Sequence, residues 1–180
     1  MDGVVLITGV MAAGKSTVAQ ALAERLPRAA HVRGDVFRRM IVSGRADYAP
    51  GSGAGDAGSG AEDRLRLRYG LSAATADAYA QAGYTAVVQD VVLGENLRTY
   101  VGLVRTRPLY VVVLAPRADA VAAREAARAK TGYGAWTVEE LDHELRSATP
   151  RIGLWLDSSE LDVARTVDAI LAGREQARVA

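Results

Sequence analysis

The sequence predicts one α/β domain, spanning residues 1–180, in which helices cover both faces of a parallel sheet. Short apolar runs rich in β-branched residues alternate with stretches of helical spacing along the whole chain. Such runs are typical of parallel strands buried on both faces, and their alternation with helices is typical of a doubly covered sheet. A chain of 180 residues is long enough for one domain of this kind.

Five apolar runs are strand candidates. The run GVVLIT near the N-terminus and the run PLYVVVLAP in the second half are continuous and rich in valine and isoleucine or leucine. Runs this short fit strands better than helices. The predicted strands cover residues 3–8, 29–32, 84–90, 108–116 and 151–157.

Helical segments are predicted between and after these strands. Pro27 and Gly83 are residue types typical of helix ends, and Thr137 with Glu140 has the spacing of a capping box. The predicted helices cover residues 15–26, 35–44, 61–82, 95–106, 117–130, 137–148 and 160–173.

One segment breaks the alternation of strand and helix. Residues 51–60 contain five glycines and no large apolar side chain. Because glycine-rich segments are typically flexible, we predict a flexible surface loop over residues 49–60. The simplest interpretation is an insertion without function, and the alternative is a cover that closes over an acceptor and limits hydrolysis.

The composition excludes several classes of protein. The chain has 22 Lys and Arg residues against 21 Asp and Glu residues, and its formal net charge is +1. This balance predicts no broad basic surface for nucleic acid or for an anionic membrane. Because the chain has no cysteine, disulfides, thiolate metal sites and cysteine nucleophiles are excluded.

The start of the chain does not resemble a signal peptide. It carries Asp2 where a signal peptide carries positive charge. The sequence also contains no apolar stretch of about 18 residues, so we expect no membrane span. We expect a cytoplasmic protein without a membrane or nucleic-acid partner, and the sequence leaves its oligomeric state open.

The segment GVMAAGKST lies between the first predicted strand and the first predicted helix. Its spacing, Gly9-x-x-x-x-Gly14-Lys15-Ser16, is that of the phosphate-binding loop, or P-loop, of nucleoside triphosphate-binding proteins. Backbone N–H groups of such a loop and the positive end of the following helix bind phosphate oxygens. The predicted nucleotide-binding residues are Gly9, Val10, Met11, Ala12, Ala13, Gly14, Lys15, Ser16 and Thr17.

Two residues of this loop have predicted chemical roles. Lys15 is expected to contact the β- and γ-phosphates, and the Ser16 hydroxyl is expected to bind Mg²⁺. The expected cofactors are therefore ATP and Mg²⁺. The chain has no Asn-Lys-x-Asp guanine motif, no Leu-Ser-Gly-Gly-Gln transporter motif and no room for the extra helical domain of ring-forming ATPases. These absences favour a small kinase.

A second polar position follows the second predicted strand, in the segment HVRGDVFRRM. Residues just beyond the carboxyl ends of parallel strands face the ligand crevice, so Asp35 is predicted to be the general base that accepts a proton from an attacking hydroxyl. Arg38 lies about one turn further along the helix and is predicted either to bind an acceptor phosphate or to brace Asp35. The alternative is that Asp35 caps the helix and Arg38 is a solvated surface residue.

A third polar position is Asp90, at the end of the predicted strand AVVQD. A carboxylate there can hold the water shell of Mg²⁺ and can face the acceptor. The neighbouring Gln89 cannot replace a carboxylate, but it can form a hydrogen bond with water. The alternative is that Asp90 only caps the following segment.

A lid is predicted over residues 124–137. Arg124 and Arg128 lie four residues apart on one predicted helix, and the glycine-containing loop TGYG follows. Two such cations can close over the phosphates and stabilise charge on the transferring group. The alternative is an alanine-rich helix with a solvated face.

The chain as a whole resembles small P-loop kinases of the group that includes chloramphenicol phosphotransferase. The resemblance rests on the segments GVMAAGKST, GDVFRR, VVQDVVLG, LAPRADAVAAREAAR and RIGLWLDSS. It implies a nucleotide-kinase-like fold with a five-stranded parallel core and a mobile lid. It also implies Asp35 as base, Lys15 and Ser16 as ligands of ATP and Mg²⁺, Arg124 and Arg128 as lid cations, and an acceptor pocket between residues 36 and 75.

Three functions remain open from the sequence. The first is an ATP-dependent kinase that phosphorylates a hydroxyl of a small molecule such as an antibiotic or metabolite. The second is a nucleoside or nucleotide kinase in which Arg38 holds an acceptor phosphate. The third is a regulator that binds ATP without turnover. The role of Arg38 separates the first two, because a bracing role implies an unphosphorylated alcohol.

Overall fold

A computed structural model describes residues 1–44, 56–127 and 137–179. Within these residues, five strands form one parallel sheet in the order β2-β3-β1-β4-β5. The strands are β1 (Val4–Gly9), β2 (Ala29–Arg33), β3 (Thr85–Gln89), β4 (Leu109–Leu114) and β5 (Leu154–Leu156). The predicted α/β class and the five-stranded parallel core are confirmed.

The helices follow the strands in the predicted alternation. They are α1 (Lys15–Arg25), α2 (Gly34–Arg39), α3 (Asp56–Gln81), α4 (Asn96–Leu103), α5 (Ala118–Ala126), α6 (Val138–His143), α7 (Val163–Ala172) and α8 (Arg174–Ala177). A π-helical turn, Glu144–Ala148, continues α6. None of the helices in the described residues combines the length and the apolar character that crossing a bilayer requires.

The core lies on both sides of the three central strands. Every residue of β1, β3 and β4 is buried, which requires packing on both faces of the sheet. The apolar side chains of these strands are buried in the core, and burial of such side chains is the dominant stabilising contribution to a fold of this kind. The β2 edge strand is less buried, with only Val32 fully covered.

The register of the parallel strands brings the predicted site residues to one edge of the sheet. Gln89 of β3 is level with Ile7 of β1 and with Arg33 of β2. The P-loop, the start of α2 and Asp90 therefore leave the sheet side by side. This edge is the carboxyl end of the strands, where open parallel sheets bind their ligands.

The predicted loop over residues 49–60 is wrong in its last five residues. Helix α3 begins at Asp56, so residues 56–60 are helical despite two glycines among them. Adding residues to an existing helix costs less than starting one, and the later turns of α3 are anchored by buried Tyr69 and Ala73. Residues 49–55 lie outside the described part of the chain, and the predicted flexibility stays a prediction there.

Several predicted boundaries also differ from the structure. The helix predicted over 35–44 ends at Arg39, and the last predicted strand is reduced to Leu154–Leu156. The chain end forms α8, which the sequence did not predict, and Val179 N donates to Leu109 O at 3.0 Å beyond it. Helix α5 is described to Ala126, and residues 128–136 of the predicted lid lie outside the described residues.

Candidate active site

The P-loop leaves β1 at Gly9 and enters α1 at Lys15. Gly9 has φ 143°, and a Cβ atom there would lie 2.4 Å from the Leu114 carbonyl oxygen of β4. Only glycine allows this approach without strain. Gly14 is the N-cap of α1, with φ 93° and no side-chain capping bond. The N–H groups of the first turn of α1 are thus not capped by a side chain, as a phosphate-binding helix start requires.

Lys15 lies inside the loop and not on the surface. Its side chain is buried, and its Nζ atom donates to the Val10 carbonyl oxygen at 2.6 Å. This contact holds the ammonium group within the curve of the loop, next to the start of α1. The position agrees with the predicted contact between Lys15 and bound phosphate.

A chain of hydrogen bonds connects the P-loop with Asp35. Ser16 Oγ donates to Gln89 Oε1 at 3.0 Å, and Gln89 Nε2 donates to Asp35 Oδ1 over a long contact of 3.5 Å. Gln89 is the last residue of β3 and lies between the other two elements. The structure therefore brings the predicted metal ligand and the predicted base to the two polar atoms of one glutamine amide group.

Asp35 lies in the first turn of α2 and is partly exposed. Its carboxylate forms ion pairs with Arg39 and, at 3.9 Å, with the Nε atom of Arg33. Partly exposed ion pairs of this kind contribute little to stability, so these contacts mainly orient the carboxylate. Arg33 and Arg39 therefore orient this carboxylate, and whether Arg38 braces Asp35 or binds an acceptor phosphate stays a prediction.

Asp90 lies buried directly after β3. Its carboxylate is fully buried and forms an ion pair with Arg68, whose Nε atom donates to Asp90 Oδ2 at 2.8 Å. Val91 N donates to the other oxygen at 2.7 Å. The side chain that contacts the P-loop serine, Ser16, is that of Gln89 and not that of Asp90. A water-mediated role of Asp90 in Mg²⁺ binding, or a contact with the acceptor, stays a prediction.

Gly34 closes this environment from the side of α2. A Cβ atom at position 34 would lie 2.0 Å from Asp90 Oδ2 and 2.9 Å from Asp90 Cβ. The backbone just before Asp35 therefore packs directly against the buried carboxylate. This contact fixes the start of α2 relative to the end of β3.

The segment after β3 is held firmly. Tyr69 of α3 donates its hydroxyl hydrogen to the Val91 carbonyl oxygen at 2.8 Å, and burial raises the pKa of Tyr69 to about 12. Thr8 Oγ1 donates to Val92 O at 2.8 Å and accepts from Val92 N at 2.9 Å. Gln89 and Asp90 are thus positioned by a rigid neighbourhood.

Arg68 is a site residue that the sequence analysis missed. It forms its ion pair with a residue 22 positions away, which no local pattern predicts. One signal was present in the sequence, since Arg64 and Arg68 stand four residues apart in the segment RLRLR. In the structure both are partly buried, whereas Arg66 between them is exposed.

The predicted lid cation Arg124 does not contact the P-loop in this structure. Its Nη2 atom donates to the Ser158 carbonyl oxygen at 2.7 Å and to that of Ser159 at 3.3 Å. Arg124 therefore connects α5 with the loop that follows β5. Arg128 lies outside the described residues, and a lid role for this pair stays a prediction.

The described residues contain no group of three or more His, Cys, Asp or Glu side chains that could hold a metal ion. A divalent cation bound here would therefore depend on the Ser16 hydroxyl, phosphate oxygens and water. Mg²⁺ in phosphoryl-transfer sites is bound in this way, with few protein ligands. The Ser16 oxygen fits this role, because donation of its hydrogen to Gln89 leaves its lone pairs available.

Comparisons with known proteins agree with this geometry. The family model AAA_33, described as an AAA domain, matches residues 4–150. No curated protein matches the chain.

Several solved structures share the fold over nearly the whole chain. A sugar kinase from a Janibacter species has a TM-score of 0.70 at 18% identity, with 98% of this chain and 96% of that chain covered. The tunicamycin resistance protein of Deinococcus radiodurans has a TM-score of 0.68 at 17% identity, with 100% and 99% covered. The APS kinase of Mycobacterium tuberculosis, solved with AMPPNP and APS, has a TM-score of 0.67 at 16% identity, with 97% and 98% covered.

The contact between Gly34 and Asp90 makes a stability prediction. In Gly34→Ala the new methyl group meets the Asp90 carboxylate, which the ion pair with Arg68 holds in place. We therefore expect the free energy of unfolding to fall by about 1–3 kcal/mol. Urea denaturation measures this. Gly70→Ala is the matched control in α3, where a Cβ atom meets nothing within 4 Å, and it should stabilise by about 0.5–1 kcal/mol. A Gly34→Ala protein as stable as the parent would contradict the packing described here.

Proposed function

Because the chain belongs to the AAA_33 family of AAA domains and has the fold of the P-loop kinases, we propose that it is an ATP-dependent kinase. The proposed reaction transfers the γ-phosphoryl group of ATP to a hydroxyl group of a small molecule. The single observation that carries this proposal is the chain Ser16–Gln89–Asp35. It places a carboxylate that can act as a base one side chain away from the P-loop.

In the proposed complex, the P-loop binds the phosphates of ATP. Backbone N–H groups of the loop and of the first turn of α1 donate to phosphate oxygens, and Lys15 adds a positive charge. Ser16 would hold Mg²⁺ together with water and the phosphates. The ion, when bound, neutralises charge on the β- and γ-phosphates.

Asp35 accepts the proton of the acceptor hydroxyl during the transfer. The hydroxyl oxygen forms a bond with the γ-phosphorus, the bond from this phosphorus to the β,γ-bridging oxygen breaks, and ADP leaves. Arg33 and Gln89 contact one oxygen of the Asp35 carboxylate and Arg39 contacts the other, so all three orient it. Orientation of this kind lowers the entropic part of the barrier, because the base is already near its reacting position.

The second candidate is a kinase whose acceptor already carries phosphate, such as a nucleotide. In this candidate Arg38, which lies on α2 three residues after Asp35, holds that phosphate. A screen of ADP release across alcohols, sugars, antibiotics, nucleosides and nucleotides separates the two candidates, and a chain that releases no ADP with any acceptor would contradict both.

Lys15→Met tests the P-loop. The methionine keeps the buried volume but removes the charge that faces phosphate, so acceptor-dependent ATP turnover should fall by about 10²-fold or more, the scale of one lost transition-state contact. The melting temperature should change little, since Lys15 forms its described hydrogen bond within its own loop. Turnover equal to that of the parent, with an unchanged melting temperature, would overturn the assignment of this loop.

Asp35→Asn tests the base. Asparagine keeps the shape of the side chain but cannot accept the hydroxyl proton, so kcat should fall by about 10²- to 10⁴-fold. Affinity for ATP should stay close to that of the parent, because among the described residues Asp35 is connected to the P-loop through Gln89.

The matched control is Asp168→Asn. Asp168 is also an exposed carboxylate in an ion pair with an arginine, Arg25, at 3.1 Å. This variant should keep the activity of the parent. If Asp35→Asn behaves like Asp168→Asn, the base lies elsewhere.

A further inference from the structure

The first half of α3 presents two arginines towards α2. Arg64 and Arg68 are four residues apart, which places them on one face of the helix, and both are partly buried. Helix α2 begins with Gly34 and Asp35, and Gly34 packs against the carboxylate that Arg68 binds. The arginine face of α3 and the candidate base of α2 therefore adjoin the same buried group.

Arg68 binds Asp90 with only part of its guanidinium. The contact uses the Nε and Nη2 atoms, which is one edge of the planar group. An arginine has five N–H donors, and no residue in the described part of the chain accepts a hydrogen bond from the Nη1 atom of Arg68. The side chain is 18% exposed, so its second edge is accessible from outside. Asp90 thus fixes the orientation of a guanidinium whose other edge can bind an oxyanion.

Arg64, one turn earlier on the same face of α3, also has an unmet donor. Its Nε atom is buried and has no hydrogen-bond partner among the described residues. Its Nη1 atom donates to the Gly44 carbonyl oxygen at 3.4 Å, which is a long contact. Buried N–H donors are nearly always paired, and a charged one that is left unpaired is costly. The Nε atom of Arg64 is therefore a donor for which the described residues supply no acceptor.

The charges around Arg68 are mixed. Burial lowers the pKa of Arg68, Tyr69 and Asp35 raise it, and the positive charge of Arg38 lowers it. Arg38, Asp35 and Arg68 therefore act on one another electrostatically. The nearby acids Glu62 and Asp63 are exposed and do not form described ion pairs with Arg64 or Arg68.

We propose that Arg64 and Arg68 bind an oxyanion of the acceptor, so that the kinase substrate is an alcohol that also carries a carboxylate, phosphate or sulfate group. This inference rests on the proposed function and names the substrate class of the same site. The arginine pair binds the oxyanion, and Asp35 receives the proton of the hydroxyl. Because Gly34 packs on Asp90, the fold sets the distance between the arginine pair and Asp35. The oxyanion and the hydroxyl of the acceptor must be separated by a matching distance.

Binding experiments test the proposal without turnover. The P-loop is first saturated with AMPPNP and Mg²⁺, so that it does not bind the added anion. Inorganic phosphate, sulfate and malonate are then titrated separately, with the melting temperature and the heat of binding as readouts. We expect saturable stabilisation of the parent, by phosphate or sulfate if the natural group is tetrahedral and by malonate if it is a carboxylate.

Two variants decide whether the α3 arginines are responsible. Arg64→Gln should weaken anion binding by about 10-fold or more, the scale of lost hydrogen bonds to a charged group. It should fold normally, since Arg64 holds no described buried partner. Arg66→Gln, on the exposed face of the same helix, is the matched control and should bind like the parent. Equal anion binding by Arg64→Gln and the parent, or no binding by the parent, overturns the proposal.

Kinetics separate this inference from the proposed function. The acceptors glycerol, glycerate and glycerol 3-phosphate share a skeleton, and adenosine and AMP form a second matched set. Two results together support the inference. The parent turns over the charged members, and Arg64→Gln raises their KM about 10-fold or more with little change in kcat. Turnover that favours the neutral members refutes the inference while the kinase assignment stands. Anion binding without any phosphoryl transfer supports the anion site and contradicts the kinase assignment.

Discussion

The buried ion pair between Asp90 and Arg68 is the contact on which the acceptor side of the structure depends. An isolated charge in the interior is very costly, so the carboxylate at the end of β3 requires its partner on α3. Arg68 in turn fixes the first half of α3 against the sheet. Gly34 packs on the same carboxylate, which places the start of α2 and therefore Asp35. One buried charge thus positions both helices that face the proposed acceptor.

The nucleotide side depends mainly on backbone geometry, with the buried Lys15 as its positive charge. The P-loop is formed by glycines at Gly9 and Gly14 and by the uncapped first turn of α1. Gln89 joins the two sides, because it accepts from Ser16 and donates to Asp35. A neutral amide suits this place, since it can do both at once, whereas a carboxylate could only accept. The candidate base and the candidate metal ligand are therefore held in one network.

What the sequence predicted well was local. The P-loop lies within nine consecutive residues, and its signal includes the strand before it and the helix after it. The alternation of strands and helices likewise predicted the five-stranded sheet. The contacts that were missed join distant residues: Ser16 with Gln89 across 73 positions, and Arg68 with Asp90 across 22. Such pairs are determined by packing, and no single segment contains them. The start of α3 was missed for a related reason. The glycine content of residues 56–60 predicted a loop, whereas the packing of later turns of α3 extends the helix back to Asp56.

The central claim is that ATP bound by the P-loop transfers its γ-phosphoryl group to a hydroxyl near Asp35. The most direct test is ³¹P NMR of the chain with ATP, Mg²⁺ and an anionic alcohol for which the screen finds ADP release. The account predicts ADP and a new phosphomonoester in equal amounts, with little inorganic phosphate. ATP that is hydrolysed to inorganic phosphate whatever acceptor is present, or ATP that binds and is not consumed, would contradict it.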